Sequence, residues 1–500
     1  MLLPVLAVAL FAPHAKPVVI SREESARHYL LGIARAVQGD RLRAAWEFTH
    51  AVHFDPTNAD AWLARGMLFE ASDLGDHAIA DYSRVLNFGP NAEAYLHRAY
   101  WYEKRKDHKA AVADLTKAAE LVPWNESVWR LRGFSLMRSG ETEAAVADFT
   151  RSLELDPQSA ETLRFRGGAY AQLRETANAI RDLDAALELD PDDATALTFR
   201  AVAHFSAGHN DRAAADFAHA LRLDPNNYNA IYNRAVMNVQ LGRDLRAAAD
   251  LDRLIALKPA DPDGYTLRAE LHARSGDREI AIRDYTRLIA LNPKSADVYR
   301  KRSAVHTADG NHPAALADLE KVAELEPKAE AYRELAKFHL DCPDAKLKNA
   351  KKAIDLADKA WALARIVATA GQPFDPSYEQ LRSSALANTG DYEKAIYLLD
   401  VLLQGKQMSA DDLRRVSDQL DQYKKILALQ RGDVERKKEF RPGWHPGHLA
   451  GDTGRPLAEP VKLPPLPSLP AVGAPAPDSA KGLPPIIIPV IQPNEVVKKE

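Results

Sequence analysis

The chain has 500 residues, of which 27% are charged and 7% are aromatic, and its formal net charge is -4. Such a nearly balanced charge creates no overall field that would attract nucleic acid or an anionic membrane, so neither is a predicted partner. Cys342 is the single cysteine. An intramolecular disulfide is therefore impossible, and a zinc site built from several cysteines cannot form within one chain.

The N-terminus, residues 1–24, carries an apolar run from Leu2 to Ala12. The run has the length of the hydrophobic part of a secretory signal peptide and is too short to span a bilayer. Ala12 and Ala15 are small enough for cleavage, although no basic residue precedes the run and Pro13 fits the cleavage pattern poorly. We predict an exported protein of the periplasm or cell envelope. The alternative is a cytoplasmic protein whose leader packs on the first repeat.

Regularly spaced prolines mark an internal repeat. Seven of the eight intervals between them are 34 residues and the other is 33. Proline lacks a backbone donor and clashes with the preceding helical turn, so each of these residues marks a helix end. The set is Pro56, Pro90, Pro123, Pro157, Pro191, Pro225, Pro259, Pro293 and Pro327. The repeat units are predicted to start near residues 25, 59, 92, 126, 160, 194, 228, 262, 296, 329 and 376.

Within each unit, small and large residues recur at fixed positions, counted from three residues after the proline. Position 8 is small, as in Gly66 and Gly133, and position 24 is large and apolar, as in Tyr82 and Phe149. Position 20 is alanine throughout: Ala78, Ala111, Ala145, Ala179, Ala213, Ala247, Ala281 and Ala315. Facing small side chains let two antiparallel helices approach closely, so each unit is predicted to be a tight helix pair.

This pattern of period and residue types resembles the tetratricopeptide-repeat (TPR) family, in particular the bacterial proteins with many such repeats. The resemblance covers about residues 25–405. It implies an all-α fold, a right-handed superhelical α-solenoid of about eleven helix-turn-helix units. A five-residue insertion near Asp341–Asp344 departs from the period.

The C-terminal part of the chain is predicted to cap the solenoid and then to lose regular structure. Ser409 and Asp412 resemble the start of a helix over residues 406–440 with an apolar stripe, a cap on the last repeat rather than a dimerising coiled coil. Residues 441–500 hold 14 of the 31 prolines and are predicted to be a disordered tail. Its apolar segments Leu463–Pro467 and Leu483–Ile491 could bind a groove in cis or in trans, or act as a spacer.

Catalytic motifs are not found in the sequence: it has no Gly-rich phosphate loop, nucleophile elbow or zincin helix. We therefore predict a protein that is not an enzyme and needs no cofactor or metal. His204, His272, His306 and His339 share position 11, but equivalent positions on successive units are too far apart to hold one metal ion. Packing is their predicted role. The tail motif His445–His448 is an incomplete metal site.

Arginine at position 7 recurs with aspartate at position 23. We predict a ladder of guanidinium–carboxylate bridges that sets helix register and repeat stacking, with an anion-binding stripe as the alternative. The predicted pairs are Arg65 with Asp81, Arg98 with Asp114, Arg132 with Asp148, Arg166 with Asp182, Arg200 with Asp216, Arg234 with Asp250, Arg268 with Asp284, and Arg302 with Asp318.

The family resemblance also implies that the first helix of each unit lines a concave surface. The residues that it places there combine aromatic, apolar and arginine side chains, which are enriched at protein interfaces. They are Leu63, Met67, Tyr100, Arg130, Phe134, Arg164, Phe205, Tyr232, Val236, Arg274 and Arg300. We predict an interaction scaffold that binds a protein or an extended peptide in this groove. The alternatives are a structural self-assembly module and a non-catalytic regulatory subunit of an enzyme complex.

Overall fold

A computed structural model describes residues 20–369, 375–404 and 408–439. Over these ranges the secondary structure is entirely helical, so the all-α prediction is confirmed. The described chain divides into two compact units, with the division between Asn238 and Val239. The predicted leader up to residue 19, the proline-rich tail and its His445–His448 motif lie outside the described residues.

The first unit consists of twelve helices and most of a thirteenth, which crosses the division. The helices are α1 Arg22–Val37, α2 Arg41–Phe54, α3 Ala59–Glu70, α4 Gly75–Phe88, α5 Ala92–Lys104, α6 His108–Leu121, α7 Glu126–Ser139, α8 Thr142–Leu155, α9 Ala160–Gln172, α10 Thr176–Leu189, α11 Ala194–Ser206, α12 Asn210–Leu223 and α13 Tyr228–Gln240. Consecutive helices pack as pairs, from α1 with α2 to α11 with α12, and the second helix of one pair contacts the first helix of the next from α2 with α3 to α10 with α11.

The second unit repeats this arrangement with more variation in helix length. Its helices are α14 Asp244–Leu257, α15 Pro262–Ser275, α16 Arg278–Leu291, α17 Ala296–Ala308, α18 His312–Leu325, α19 Ala329–Asp341, α20 Ala350–Thr369, α21 Ser377–Asn388, α22 Tyr392–Gln404 and α23 Ala410–Glu439. The pairs here are α15 with α16, α17 with α18, α19 with α20, and α21 with α22. The protein is therefore an α-solenoid of many helix pairs, while the superhelical sense and the number of about eleven units stay predictions.

Local sequence explains where the helices begin and end. The side chain of Asn58 accepts a hydrogen bond from the backbone N–H of Ala61, and Asn91 does the same for Ala94. These contacts satisfy donors that a helix start leaves free. At the other end, Gly140 closes α7 with φ 93°, a left-handed conformation that glycine adopts without steric cost.

The core of each pair is a contact between very small and very large side chains. Ala145 and Phe149 on α8 are both fully buried, and Gly133 on α7 lies opposite them. A Cβ atom added at Gly133 would lie 2.8 Å from the Phe149 ring and 3.1 Å from the Ala145 carbonyl oxygen. The size pattern in the sequence thus fixes how closely the helices of a pair approach.

The irregular pair near the end of the second unit retains its packing. After α19 an eight-residue loop, residues 342–349, leads to α20, and Cys342 in this loop is buried at 4% exposure. His339 Nδ1 lies 3.0 Å from the carbonyl oxygen of Leu347, and the N–H of Asn349 donates to the His339 carbonyl oxygen. The insertion is therefore fastened to the end of α19 by hydrogen bonds.

Helix α23 covers the last helix pair. Its buried side chains Val416, Leu420 and Tyr423 pack in one cluster with Ala395 and Leu399 of α22. Apolar surface that no further repeat would cover is thereby removed from water. Among the described helices, none is both long enough and apolar enough to cross a membrane.

We expect Gly133→Ala to lower the free energy of unfolding by about 1–3 kcal/mol, because the buried Phe149 ring cannot move away from the new methyl group. Gly432→Ala on α23 is the matched control, since an added Cβ there meets no atom within 4 Å. It should raise helix stability by about 0.5–1 kcal/mol. Urea unfolding followed by circular dichroism would compare the two, and a stabilising effect of both substitutions would contradict this account of the core.

Candidate partner-binding surface

Arginine and aspartate join the two helices of each pair. Arg65 Nε and Nη2 donate to the two carboxylate oxygens of Asp81, each at 2.8 Å, and Arg166 binds Asp182 in the same way at 2.6 and 3.0 Å. We call this set the Arg–Asp ladder. Its described pairs are Arg65–Asp81, Arg98–Asp114, Arg132–Asp148, Arg166–Asp182, Arg200–Asp216, Arg268–Asp284 and Arg302–Asp318. The pairing of Arg234 with Asp250 stays a prediction.

Each ladder arginine also binds the preceding helix pair. Nη1 of Arg98 donates to Ser83 Oγ at 2.9 Å, and Nη1 of Arg166 donates to Thr150 Oγ1 at 3.2 Å. The acceptor lies 16 residues before the arginine in six of the described cases and 15 before it for Arg98, whereas the aspartate lies 16 after the arginine in each. This third partner was not predicted from the sequence, where its signal is a Ser, Thr or Asp 15 or 16 residues before each of these arginines. The acceptors are Thr49, Ser83, Thr116, Thr150, Asp184, Asp252 and Thr286.

Aromatic rings cover several of the same guanidinium groups. The Cζ atom of Arg65 is 4.7 Å from the ring centre of Trp62, and that of Arg132 is 4.8 Å from Trp129. Hydrogen bonding to Asp148, opposed by burial and assisted by the aspartate's charge, raises the pKa of Arg132 above its usual value. In the pairs described above the arginines are thus bound on several sides, which disfavours the alternative of an anion-binding stripe.

Exposure along the predicted concave surface changes within the first unit. Position 9 of successive first helices forms what we call the position-nine column. Ile33 and Met67 are 39% and 41% exposed and Tyr100 is partly exposed, whereas Phe134 is 3% exposed and Val236 is fully buried. The accessible apolar part of the column therefore lies on α1, α3 and α5.

The other apolar residues of the predicted surface are less accessible. Tyr232 is 5% exposed, and Leu63 and Phe205 are partly buried. Phe134 packs against Phe165 of the next helix pair, with ring centres 5.4 Å apart. Phe134, Tyr232 and Val236 therefore belong to the core in this conformation and offer little surface to a partner.

The predicted arginine anchors contact carboxylates within their own unit. In the first unit, Arg130 Nη1 donates to Glu161 at 2.6 Å and Arg164 Nη1 donates to Asp193 at 2.8 Å. Both bonds join one first helix to the next pair. An arginine held in this way stabilises stacking and is poorly placed to bind a ligand carboxylate.

The second unit shows the same use of arginine. Arg300 Nε donates to Glu334 at 2.9 Å, which joins α17 to α19. Arg274 is exposed and forms an ion pair with Asp244 at 3.0 Å. The structure thus places the predicted arginines in contacts between repeats rather than in a common binding site.

A shallow cavity of about 400 Å³ is lined by Trp101, Lys104 and Asp73. Lys104 Nζ lies 5.0 Å from the Tyr100 ring centre and 4.5 Å from that of Trp101, and it donates to Asp73 at 3.1 Å. Gly75 lies under Trp101, where any larger residue would collide with the indole. The cavity therefore presents aromatic surface beside an ammonium group whose charge is already partly balanced.

A histidine–glutamate contact links the second and third helix pairs. His97 Nδ1 lies 3.1 Å from Glu70 Oε1, and the hydroxyl of Tyr82 donates to Glu70 Oε2 at 2.9 Å. Burial acts to lower the pKa of His97, but the hydrogen bond and charge of Glu70 outweigh it and raise that pKa above its usual value. Elsewhere in the unit, burial lowers the pKa of His204.

Family models place this helical pattern in a known group. Three models, each described as tetratricopeptide repeat, match residues 92–123, residues 133–204, and residues 200–262 with 266–330. The chain belongs to the tetratricopeptide-repeat family. Repeats of this family typically are non-catalytic modules, and TPR proteins serve as scaffolds for protein–protein interaction.

Relatives of this TPR protein resemble it over limited lengths. It is 41% identical to bacteriophage adsorption protein A of Escherichia coli (strain K12) over 64 residues, which are 13% of this chain and 6% of that protein. YrrB, described as a TPR protein with an unusual peptide-binding site, is 21% identical, with a TM-score of 0.35 over 38% of this chain and 98% of YrrB. Pseudomonas aeruginosa pilF is also 21% identical, with a TM-score of 0.35 over 41% of this chain and 93% of pilF.

In this TPR protein, Asp182→Asn should lower the melting temperature measured in low salt. The substitution leaves Arg166, whose side chain is 19% exposed, without a balancing carboxylate, at a cost of about 1–3 kcal/mol after allowance for solvent screening. The control is Glu120→Gln, which breaks the exposed contact with Lys117. An unchanged melting temperature for Asp182→Asn would remove the stabilising role of the ladder.

The pair of His97 and Glu70 should make stability depend on pH. Because folding raises the pKa of His97, the pair stabilises fully below the unfolded value of about 6.5 and loses this effect as pH rises through the folded pKa. Glu70→Gln should lower the His97 pKa measured by NMR and should destabilise more at acidic than at alkaline pH. His204 should titrate alike in both proteins, and an unshifted His97 would contradict the assignment.

Proposed function

We propose that this TPR protein is an interaction scaffold whose first unit holds an extended segment of a partner protein across α1, α3 and α5. The accessible side chains of the position-nine column would contact the segment, with Leu63 beside them. This surface is the part of the predicted concave face that keeps apolar side chains exposed. Extended segments suit such a surface because successive side chains can reach successive repeats.

The exposure of Met67 and Tyr100 carries the proposal. The equivalent residues of later pairs, Phe134 and Val202, are each 3% exposed, so burial is the ordinary outcome at this position. Met67 of the first unit, by contrast, is 41% exposed. A methionine and a tyrosine offer adaptable and rigid apolar contacts respectively, which are favoured at sites that bind protein segments.

Charge around these residues favours a partner segment with basic side chains. Asp60 and Glu93, at position 2 of α3 and α5, are exposed. Arg130 and Arg164 are bound to Glu161 and Asp193. The proposed ligand is therefore a peptide with apolar anchors flanked by lysine or arginine, rather than one recognised through a terminal carboxylate.

Location and assembly stay predictions. Export to the periplasm or cell envelope and a cytoplasmic location differ in the fate of residues 2–12. End-to-end assembly through the C-terminal repeat is disfavoured because α23 already covers α22. Binding of the proline-rich tail to this or another groove is a further prediction, as is service as a regulatory subunit.

Selection of peptides from a random library on the full chain would test the binding proposal. Selected peptides should share apolar residues with basic neighbours, and Tyr100→Ala should weaken their binding at least about tenfold, or about 1.4 kcal/mol. Asp60→Lys should also weaken peptide binding when it is measured at low salt. The control is Tyr397→Ala in the second unit, a tyrosine that is 65% exposed. Equal affinity for the Tyr100→Ala and parent proteins would contradict the proposed surface.

A further inference from the structure

One carboxylate lies next to the two side chains that carry the proposed function. Glu70 follows Met67 by three residues on α3, and His97 precedes Tyr100 by three residues on α5. Residues three or four positions apart share one face of a helix, so each pair lies on one side of its helix. The contact between Glu70 and His97 therefore joins α3 to α5 beside the exposed part of the position-nine column.

The carboxylate one helix pair later has a permanent cation beside it. Glu103 occupies the position of α5 that is equivalent to Glu70, is 7% exposed, and lies 3.8 Å from Nε of Arg138 on α7. The residue of α5 equivalent to Arg138 is Lys104, but its ammonium group donates to Asp73 instead. Among the described residues, Glu70 therefore has no lysine or arginine bound to its carboxylate.

Partial burial makes this difference important. The side chain of Glu70 is 21% exposed and that of His97 is 30% exposed. Both oxygens of Glu70 lie within 3.2 Å of His97 Nδ1, and the hydroxyl of Tyr82 also donates to Oε2. These donors leave part of the about four acceptor positions of a carboxylate open. When His97 is neutral, neither donor balances the negative charge, and a largely buried charge without a counter-ion is unfavourable.

Charged groups on the neighbouring helices do not supply the missing cation. Glu93, one turn before the histidine on α5, is exposed and adds negative charge. On α4, the charge of Asp81 is balanced by Arg65. On α2, Arg41 donates to the backbone carbonyl oxygen of Ala71. In the described part of the chain, the protonated histidine is thus the cation that this carboxylate has.

We propose that Glu70 accepts a lysine or arginine side chain of the bound segment, and that protonation of His97 competes with this contact. The inference rests on the proposed function, because it assigns the basic neighbours of the apolar anchors to one acceptor. The ligand cation and the proton on His97 balance the same carboxylate, so each weakens the binding of the other. Since folding raises the pKa of His97, affinity should be highest above this raised value and should fall as the pH falls through it.

A peptide from the library selection that contains lysine or arginine and no histidine is the probe. The full chain should bind it at least about fivefold more weakly at about pH 6 than at about pH 8. The same peptide with glutamine in place of its basic residues should lose most of this pH dependence. The bound basic peptide should also lower the pKa of His97 measured by NMR, while His204 titrates alike with and without it.

Two substitutions separate the acceptor from the competing proton. Glu70→Gln should weaken binding of the basic peptide at about pH 8 at least about tenfold, whereas His97→Gln should remove the pH dependence. A purely structural role of the pair would affect both variants alike and would weaken binding of the glutamine peptide equally. Glu120→Gln on α6 is the control for the change of charge, since that exposed residue pairs with Lys117. Circular dichroism at both pH values would establish that each variant is folded.

The outcomes distinguish this inference from the proposal on which it rests. Equal affinity for the basic peptide at both pH values, or Glu70→Gln protein that binds it as tightly as the parent, would overturn the inference and leave the proposed surface standing. Selected peptides without basic residues would overturn it too. A library that yields no peptide, or Tyr100→Ala protein with the affinity of the parent, would overturn the proposed function and this inference together.

Discussion

The contact between a very small residue on one helix and a large ring on its partner governs the fold. Gly133, Ala145 and Phe149 show it: two side chains are nearly absent, so the ring fills the space between closely placed backbones. A larger group at the glycine forces strain, whereas a smaller one at the phenylalanine leaves a cavity. One pair cannot bury all its apolar surface by this contact alone, and stacking of the next pair is the physical consequence.

Hydrophobic stacking does not by itself fix the register of the helices, whereas the directional hydrogen bonds of the Arg–Asp ladder do. Arg166 binds Asp182 with two parallel hydrogen bonds and Thr150 of the preceding pair with a third. A sliding of either helix would break bonds to partly buried polar groups, and leaving such groups unpaired is costly. The ladder therefore links register within a pair to register between pairs, while the apolar contacts set their distance.

Periodic features could be predicted from the sequence because every unit repeats the same neighbours. The helix pairs, the alanine positions and the Arg–Asp spacing belong to this class. Exposure of single side chains could not be predicted in that way. Phe134 and Val236 occupy the same position as Met67, yet they are 3% and 0% exposed, and the Phe134 ring packs against Phe165 of the next first helix. Likewise, the carboxylate that binds Arg164 comes from Asp193, which caps the next first helix rather than following the repeat pattern.

Burial along the position-nine column also explains why the proposed binding surface lies in the first unit. Ile33 and Met67 are exposed, while Val202 and Val236 retain 3% and 0% exposure. A side chain that is buried among neighbouring first helices contributes to stacking and cannot also contact a ligand without opening the solenoid. Accessible apolar residues must therefore come from the pairs in which the residue at position 9 stays exposed. In the first unit those pairs lie toward α1, where an apolar partner segment gains the most from binding because apolar surface remains in water.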